Sequence, residues 1–295
     1  MTVRTFAAAA AGFGRDLDES FATISSLLER ARAAGADVLA LPEAALGGYL
    51  SSLHDDPEDV PPQLDVDGPE IRRLIALAGD TVVTVGFCER GDGASGDRPY
   101  NSCVAVTGDG VLGHHRKVHQ PLNENTSYAA GDRFAAFDTP VGRMGMMICY
   151  DKAFPEAARA LAVDGARIVV CMSAWPASRT NPASVLADDR WTRRFDLFDR
   201  ARALENQIVW VSANQAGTFG DMHLVASAKI VDPGGEVLDT TGTEAGLAVA
   251  SVDVDATVDA ARRFMGHLRD RRPASYLGTP DDAPPVVPAV AARAS

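Results

Sequence analysis

Short apolar runs recur along the chain, each set off from the next by a helical pattern or a polar turn, and this alternation limits the fold more than any other feature. Val38 to Leu41, Thr81 to Cys88, Ser102 to Thr107, Gly145 to Ile148, Arg167 to Met172, Ile208 to Ser212 and Ser227 to Val231 read as strands. Phe21, Ile24, Leu27, Leu28 and Ala31 recur at helical spacing, with Asp16 and Glu19 offering a capping box and Gly35 a stop. Helices also fit Pro69 to Ala78, Pro155 to Val163 and Asp188 to Asn206. Strands and helices mixed in this order predict an α/β fold with two packed sheets between helical layers, although the pattern alone also allows an ordinary doubly wound sheet.

A chain of 295 residues, 46% of them hydrophobic, can bury a large core, and no linker divides it before residue 280. Residues 1–279 therefore read as one domain. From Pro280 onward Asp, Pro, Ala and Val follow without periodicity, which predicts a mobile C-terminal tail over 280–295. No apolar run is long enough to span a membrane, and the start lacks the apolar core of a signal peptide. Cys88, Cys103, Cys149 and Cys171 lie in or beside apolar stretches without CxxC spacing, so reduced thiols and a cytoplasmic location are expected. A formal net charge of -12 argues against nucleic acid, since phosphate binding needs clustered Lys and Arg, and only Arg269, Arg271 and Arg272 are dense.

Three polar clusters follow apolar runs and together supply what a thiol attack requires. Cys149 closes Gly145-Met146-Met147-Ile148 and precedes Tyr150-Asp151-Lys152-Ala153-Phe154-Pro155-Glu156, a helix entry, which puts the thiol on a strand-to-helix turn. A free thiol has a pKa of about 8.5, so a base or cation must favour the thiolate. Glu43, at the end of Leu41-Pro42-Glu43, can be the base. Lys117, in His114-His115-Arg116-Lys117, with the Tyr150 N–H, can stabilise charge developing on the substrate.

These residues resemble the carbon-nitrogen hydrolase family, or nitrilase superfamily, whose members use a Glu-Lys-Cys triad. Ala36-Asp37-Val38-Leu39-Ala40-Leu41-Pro42-Glu43 with Gly48-Tyr49 is similar to its base motif, and Pro99-Tyr100-Asn101-Ser102 leads into its lysine motif at Gly113 to Lys117. Arg200 to Asn206, Asn214-Gln215-Ala216-Gly217 and Asp232-Pro233-Gly234-Gly235 match its later helix, strand and hairpin, so the likeness spans roughly residues 3 to 278 in the family's order. The glutamine usual near the first strand is absent, with Ala9, Ala10 and Ala11 around its place.

The resemblance implies a four-layer α-β-β-α sandwich and a catalytic set of Glu43, Lys117 and Cys149, with Glu124 as the family's second glutamate holding the triad's hydrogen bonds. It implies neither cofactor nor metal. It also implies a homodimer or larger homo-oligomer, with the helix near Asp188 to Asn206 at the contact and its aromatic stripe covered by a partner. Cys149-Tyr150-Asp151 looks like the amidase and carbamoylase branches, so the expected substrate is a small-molecule amide or N-carbamoyl compound, with a nitrile as the alternative. A non-catalytic scaffold retaining the fold is the reading from another class; loss of a triad member would favour it, and none is lost.

Other residues invite bland readings as well as functional ones. Tyr49, Tyr150 and Trp175 are candidates for substrate binding, yet Tyr49 and Trp175 equally suit a core, and Trp191, Phe195 and Phe198 read as packing. His115 and His119 have i, i+4 spacing but lack the acidic partner of a zinc hydrolase motif, so no metal is assigned. Gly91 to Gly96 lacks the strand-then-helix context of a phosphate cradle and reads as a turn.

Overall fold

The structure is a computed structural model that describes residues 3–53 and 60–276; the tail expected over 280–295 lies outside the described residues. Strands β1 (Val3–Ala11), β2 (Val38–Ala40) and β3 (Val82–Glu89) pair in parallel through β2, and β4 (Tyr100–Thr107) and β5 (Gly110–Arg116) add antiparallel neighbours. A second run holds β6 (Phe137–Thr139), β7 (Gly142–Ile148), β8 (Ile168–Ser173) and β9 (Val209–Phe219), parallel from β7 to β9. The two runs join only where Ala10 and Ala11 of β1 meet Asn214 and Gln215 of β9. One hydrogen-bonded path thus folds back on itself as two facing sheets.

Side-chain alternation along the strands sorts residues into the layers. Phe6, Ala8, Val38 and Ala40 point inward and share one core with Met144, Met146, Ile148, Ile168, Val170 and Val211 of the opposite run. Their neighbours Ala7, Ala9, Leu39 and Val83 point outward, onto Phe21, Ile24 and Leu28 of α1 (Leu17–Ala33) and onto Ile71 and Leu74 of α2 (Pro69–Ala78). On the far side Met147, Val169, Cys171 and Trp210 meet Ala157, Ala158 and Leu161 of helix α4 (Pro155–Val163), which follows the short α3 (Glu124–Ser127). The result is the four-layer α-β-β-α sandwich, and the doubly wound alternative falls.

Asp16 caps α1 by accepting from the Asp18 and Glu19 N–H groups, as its position suggests. Helix α5 (Arg190–Asn206) begins at the Asp189 cap. Within the chain its aromatic stripe already packs: Phe195 is buried, and Trp191, Phe195 and Phe198 all lie against Trp175. Leu197 and Leu204 lie on the exposed side instead. Helical periodicity locates a stripe without saying what covers it, and here Trp175 supplies part of the cover.

Elements with no counterpart among the expected strands and helices include β5, β6 and α3 as well as β10 (Met222–Val225), β13 (Gly246–Asp253) and α6 (Val254–Phe264). The hairpin at Asp232 to Gly235 joins β11 (Lys229–Val231) to β12 (Val237–Thr240), and β13 runs antiparallel along β1. Among the described residues no helix is long and apolar enough to cross a membrane.

Candidate active site

The carboxyl ends of β2, β7 and β8 open at the same end of the sandwich, where α/β sheets place their sites. Glu43 follows β2, Lys117 follows β5, Cys149 follows β7, and Ala174 follows β8. Glu43, Lys117 and Glu124 are wholly buried and Cys149 nearly so.

The Lys117 ammonium sits between two carboxylates, with Nζ 2.8 Å from Glu43 Oε1 and 2.8 Å from Glu124 Oε2. Asn101 Nδ2 donates to both acids, at 2.7 Å to Glu43 Oε1 and 2.7 Å to Glu124 Oε1. The Ala174 N–H donates to the other Glu43 oxygen at 2.6 Å. Gln215 Nε2 donates to the Glu43 carbonyl at 2.8 Å, fixing the base turn to β9. Gly86 lets that turn lie on β3: a Cβ there would stand 2.4 Å from the Ala44 nitrogen and 2.8 Å from the Glu43 Cα.

Burial dominates the electrostatics. It disfavours the charged form of Lys117, but the Glu124 and Glu43 carboxylates outweigh it and hold the ammonium charged. Burial pushes the Glu124 carboxyl up, against the pull of Lys117 and with Glu43 adding to the rise. Tyr49, whose ring centroid is 5.5 Å from Lys117 Nζ, keeps its phenolic proton because burial and then the Glu124 and Glu43 charges push its pKa well up.

Cys149 takes a left-handed backbone, with φ at 48°, and opens a 3-10 turn, Cys149–Ala153, ahead of α4. Burial pushes its thiol well up, the Glu43 charge adds to that, and Lys117, Lys152 and the Ala174 N–H oppose it. Burial thus favours the protonated form of this thiol. Burial raises the other thiols too, Cys88 and Cys171 to about 12 and Cys103 well above its usual value. What sets Cys149 apart is company, a base and two ammonium groups, and not an unusually acidic thiol.

Helix α5 holds the nucleophile turn from behind. Lys152 Nζ donates to Asp199 at 2.7 Å, Lys229 Nζ and Trp210 Nε1 complete that carboxylate at 2.9 Å each, and Arg202 Nε donates to the Lys152 carbonyl at 2.8 Å. The substrate-binding candidates separate. Tyr49 lies against Lys117 as just described, Tyr150 is half-buried with its ring edge-on to Phe154 at 5.2 Å, and the Trp175 indole donates to the Trp191 carbonyl at 3.1 Å within the α5 aromatic cluster. The Trp175 N–H donates to Asn214 Oδ1 at 2.8 Å. Trp175 thus packs against α5.

His115 and His119 both face Asp151. Gly91 to Gly96 is a turn closed by Asp92, which accepts from Ser95 and from the Tyr100 hydroxyl, both at 3.0 Å, and pairs with Arg116 at 3.1 Å. Asn101, Ala174 and Gln215 carry no sequence signal of their own roles; only the placement of Asn101 in the lysine motif and of Gln215 beside Asn214 points toward them.

The family model for carbon-nitrogen hydrolases matches residues 6–263. The chain is 32% identical over 265 residues to an (R)-stereoselective amidase of Pseudomonas sp, covering 88% of each protein. It is 30% identical over 241 residues to a nitrilase of Pyrococcus abyssi, covering 80% of this chain and 84% of that one. The crystal structure of a carbon-nitrogen hydrolase from Helicobacter pylori shares the fold, with a TM-score of 0.78 at 22% identity over 93% of this chain and 97% of that one. The chain belongs to the carbon-nitrogen hydrolase family and is an enzyme of that class.

Proposed function

We propose that the protein hydrolyses a non-peptide C–N bond of a small molecule, an amide or an N-carbamoyl group, through a thioester on Cys149. The observation that carries this reading is the buried Lys117 ammonium between Glu43 and Glu124 at the end of the sandwich where Cys149 closes β7. Glu43 takes the thiol proton as sulfur attacks the carbonyl carbon. Lys117 and the Tyr150 N–H stabilise the oxyanion. The C–N bond breaks as Glu43 returns the proton to the leaving nitrogen, which departs as ammonia or an amine. Water then attacks the thioester with Glu43 again as base, releasing the acid and restoring the thiol. Glu124 keeps Lys117 charged and aimed. Every step uses side chains and water, so the reading assigns no cofactor or metal.

A nitrile substrate is the second reading, supported by the Pyrococcus abyssi relative named a nitrilase. A nitrile gives a thioimidate whose nitrogen must gain protons before ammonia departs, so one proton-delivery geometry does not serve both substrates equally. We place the enzyme in the cytoplasm as a homodimer or larger assembly; the exposed Leu197 and Leu204 on α5 support a contact there. Incubation with amides, N-carbamoyl compounds and nitriles sharing one acyl group, with ammonia and acid both quantified, tests the bond. A nitrile kcat/KM exceeding the amide value by about tenfold, some 1.4 kcal/mol of transition-state preference, overturns the amidase reading.

A further inference from the structure

Lys117 and Cys149 come from segments far apart in sequence, yet an ammonium acting on a substrate oxygen must stand at a fixed distance from the sulfur. One carboxylate spans both segments. Asp151 is wholly buried two residues beyond Cys149. Its Oδ2 accepts from the N–H of Ile148, the residue just before the nucleophile, at 3.1 Å, and meets His115 Nε2 at 3.2 Å. Its Oδ1 accepts from the His119 N–H at 2.9 Å and meets His119 Nδ1 at 2.9 Å. His115 and His119 are the residues two before and two after Lys117. Their rings are held in turn: His119 stacks on Phe154 with centroids 3.7 Å apart, and His115 stacks on Phe134 at 5.2 Å.

We infer that Asp151 is a positioning residue, which ties both flanks of Lys117 to the backbone of the Cys149 turn and so sets the spacing between ammonium and sulfur. A carboxylate suits this task because its two oxygens together accept four hydrogen bonds, whereas the single oxygen of an asparagine could accept from only half of them. Charge-assisted bonds in a dry site hold geometry tightly. The tether's bonds run to the Ile148 and His119 backbone and to the two histidine rings, so it governs the chemical step through Lys117 and Cys149 and leaves binding largely alone. This assignment rests on Cys149 and Lys117 being the reacting pair.

The test compares Asp151→Asn, His119→Ala and His119→Asn with the wild-type enzyme. An asparagine side chain places its N–H close to where His119 presents Nδ1, so it keeps that donor without the ring. Two readouts are taken on protein shown to be folded by circular dichroism: kcat and KM on a turned-over amide, and the rate at which iodoacetamide alkylates Cys149, mapped by mass spectrometry. Misplacement by an ångström costs up to about 10²-fold in rate. The expected result is a kcat lowered about 10- to 100-fold in Asp151→Asn and His119→Ala, with KM changed by less than about threefold and alkylation slowed in parallel. His119→Asn restores most of both losses. Unchanged kcat and alkylation in folded His119→Ala and Asp151→Asn overturn the assignment, as does a His119→Asn that stays as impaired as His119→Ala. The alkylation arm needs no substrate, so a wild-type enzyme that hydrolyses none of the amides refutes the proposed function while the tether is still judged on its own.

Discussion

A single amide nitrogen, Nδ2 of Asn101, lies 2.7 Å from Glu43 and 2.7 Å from Glu124. Two buried acids and one ammonium would carry excess negative charge if both acids ionised, and the shared donor eases their repulsion while keeping them parallel. Asn101 presents its nitrogen from the start of β4, the strand whose far neighbour β5 leads into Lys117.

Asn101→Ala removes two charge-assisted hydrogen bonds and is expected to lower kcat about 10- to 100-fold. Asn101→Asp replaces the donor by a third carboxyl and should do more harm than alanine. Steady-state kinetics on one amide compare them. An alanine variant as active as the wild-type enzyme would show that the shared donor is unimportant.

Gly86→Ala would drive a methyl group into the backbone of the base turn, and backbone cannot swing aside. A destabilisation of about 1–3 kcal/mol is expected, with a larger proportional loss in kcat. Gly113→Ala is the control: its Cβ would meet only the Phe137 ring, at 2.6 Å, a side chain able to move. That variant should lose stability and keep its turnover. Denaturant melts and kcat on both proteins decide, and equal kcat losses would refute the account.

Glu89 gives an acid limb to stability. Burial alone would raise its carboxyl, but hydrogen bonds from His114, Arg116 and Ser102 outweigh burial and lower it to about 2. A depressed folded-state pKa means stability that is fully present above the ordinary glutamate value of 4.5 and is lost as pH falls toward about 2. Tm should fall across that window in the wild-type protein. Glu89→Gln should start lower at neutral pH and fall less steeply; a parallel fall would assign the acid limb to other carboxyls.

Cys149→Ala should reduce turnover on the order of 10³-fold or more with far-ultraviolet circular dichroism unchanged. Iodoacetamide should mark Cys149 ahead of Cys88, Cys103 and Cys171, which are more deeply buried. Because burial favours the protonated thiol, its labelling rate should keep climbing through about pH 9 without a plateau. A plateau near neutrality would reveal a preformed thiolate. Adducts mapped first to another cysteine would contradict the nucleophile assignment.

The proposed reacting groups were legible because each is a chemically distinctive residue closing an apolar run: Glu43 after β2, Lys117 after β5, Cys149 after β7. Glu124 was legible through the loop that bears it. Asn101, Ala174 and Gln215 were not legible as functional groups, since amides and backbone N–H groups acquire roles only from what folding brings within reach. The contact of Asp151 with His119 crosses 32 residues of sequence and leaves no periodic trace. The contact of the α5 stripe with Trp175 was hidden for a related reason, because Trp175 arrives from the end of β8. Strand β13 owes its place to long pairing with β1, from Val3 opposite Asp253 to Ala10 opposite Gly246, a partnership between the two ends of the described chain.

The left-handed backbone at Cys149 also restricts which nucleophiles this turn can ever carry. At φ of 48° an L-residue already pays about 1–2 kcal/mol, and a branch at Cβ adds crowding against the neighbouring backbone. Threonine is thereby disfavoured, while serine differs from cysteine only in the reacting atom. An exchange of nucleophile at this turn is therefore easiest between side chains unbranched at Cβ, and swapping sulfur for oxygen disturbs the turn least while changing the reactivity most.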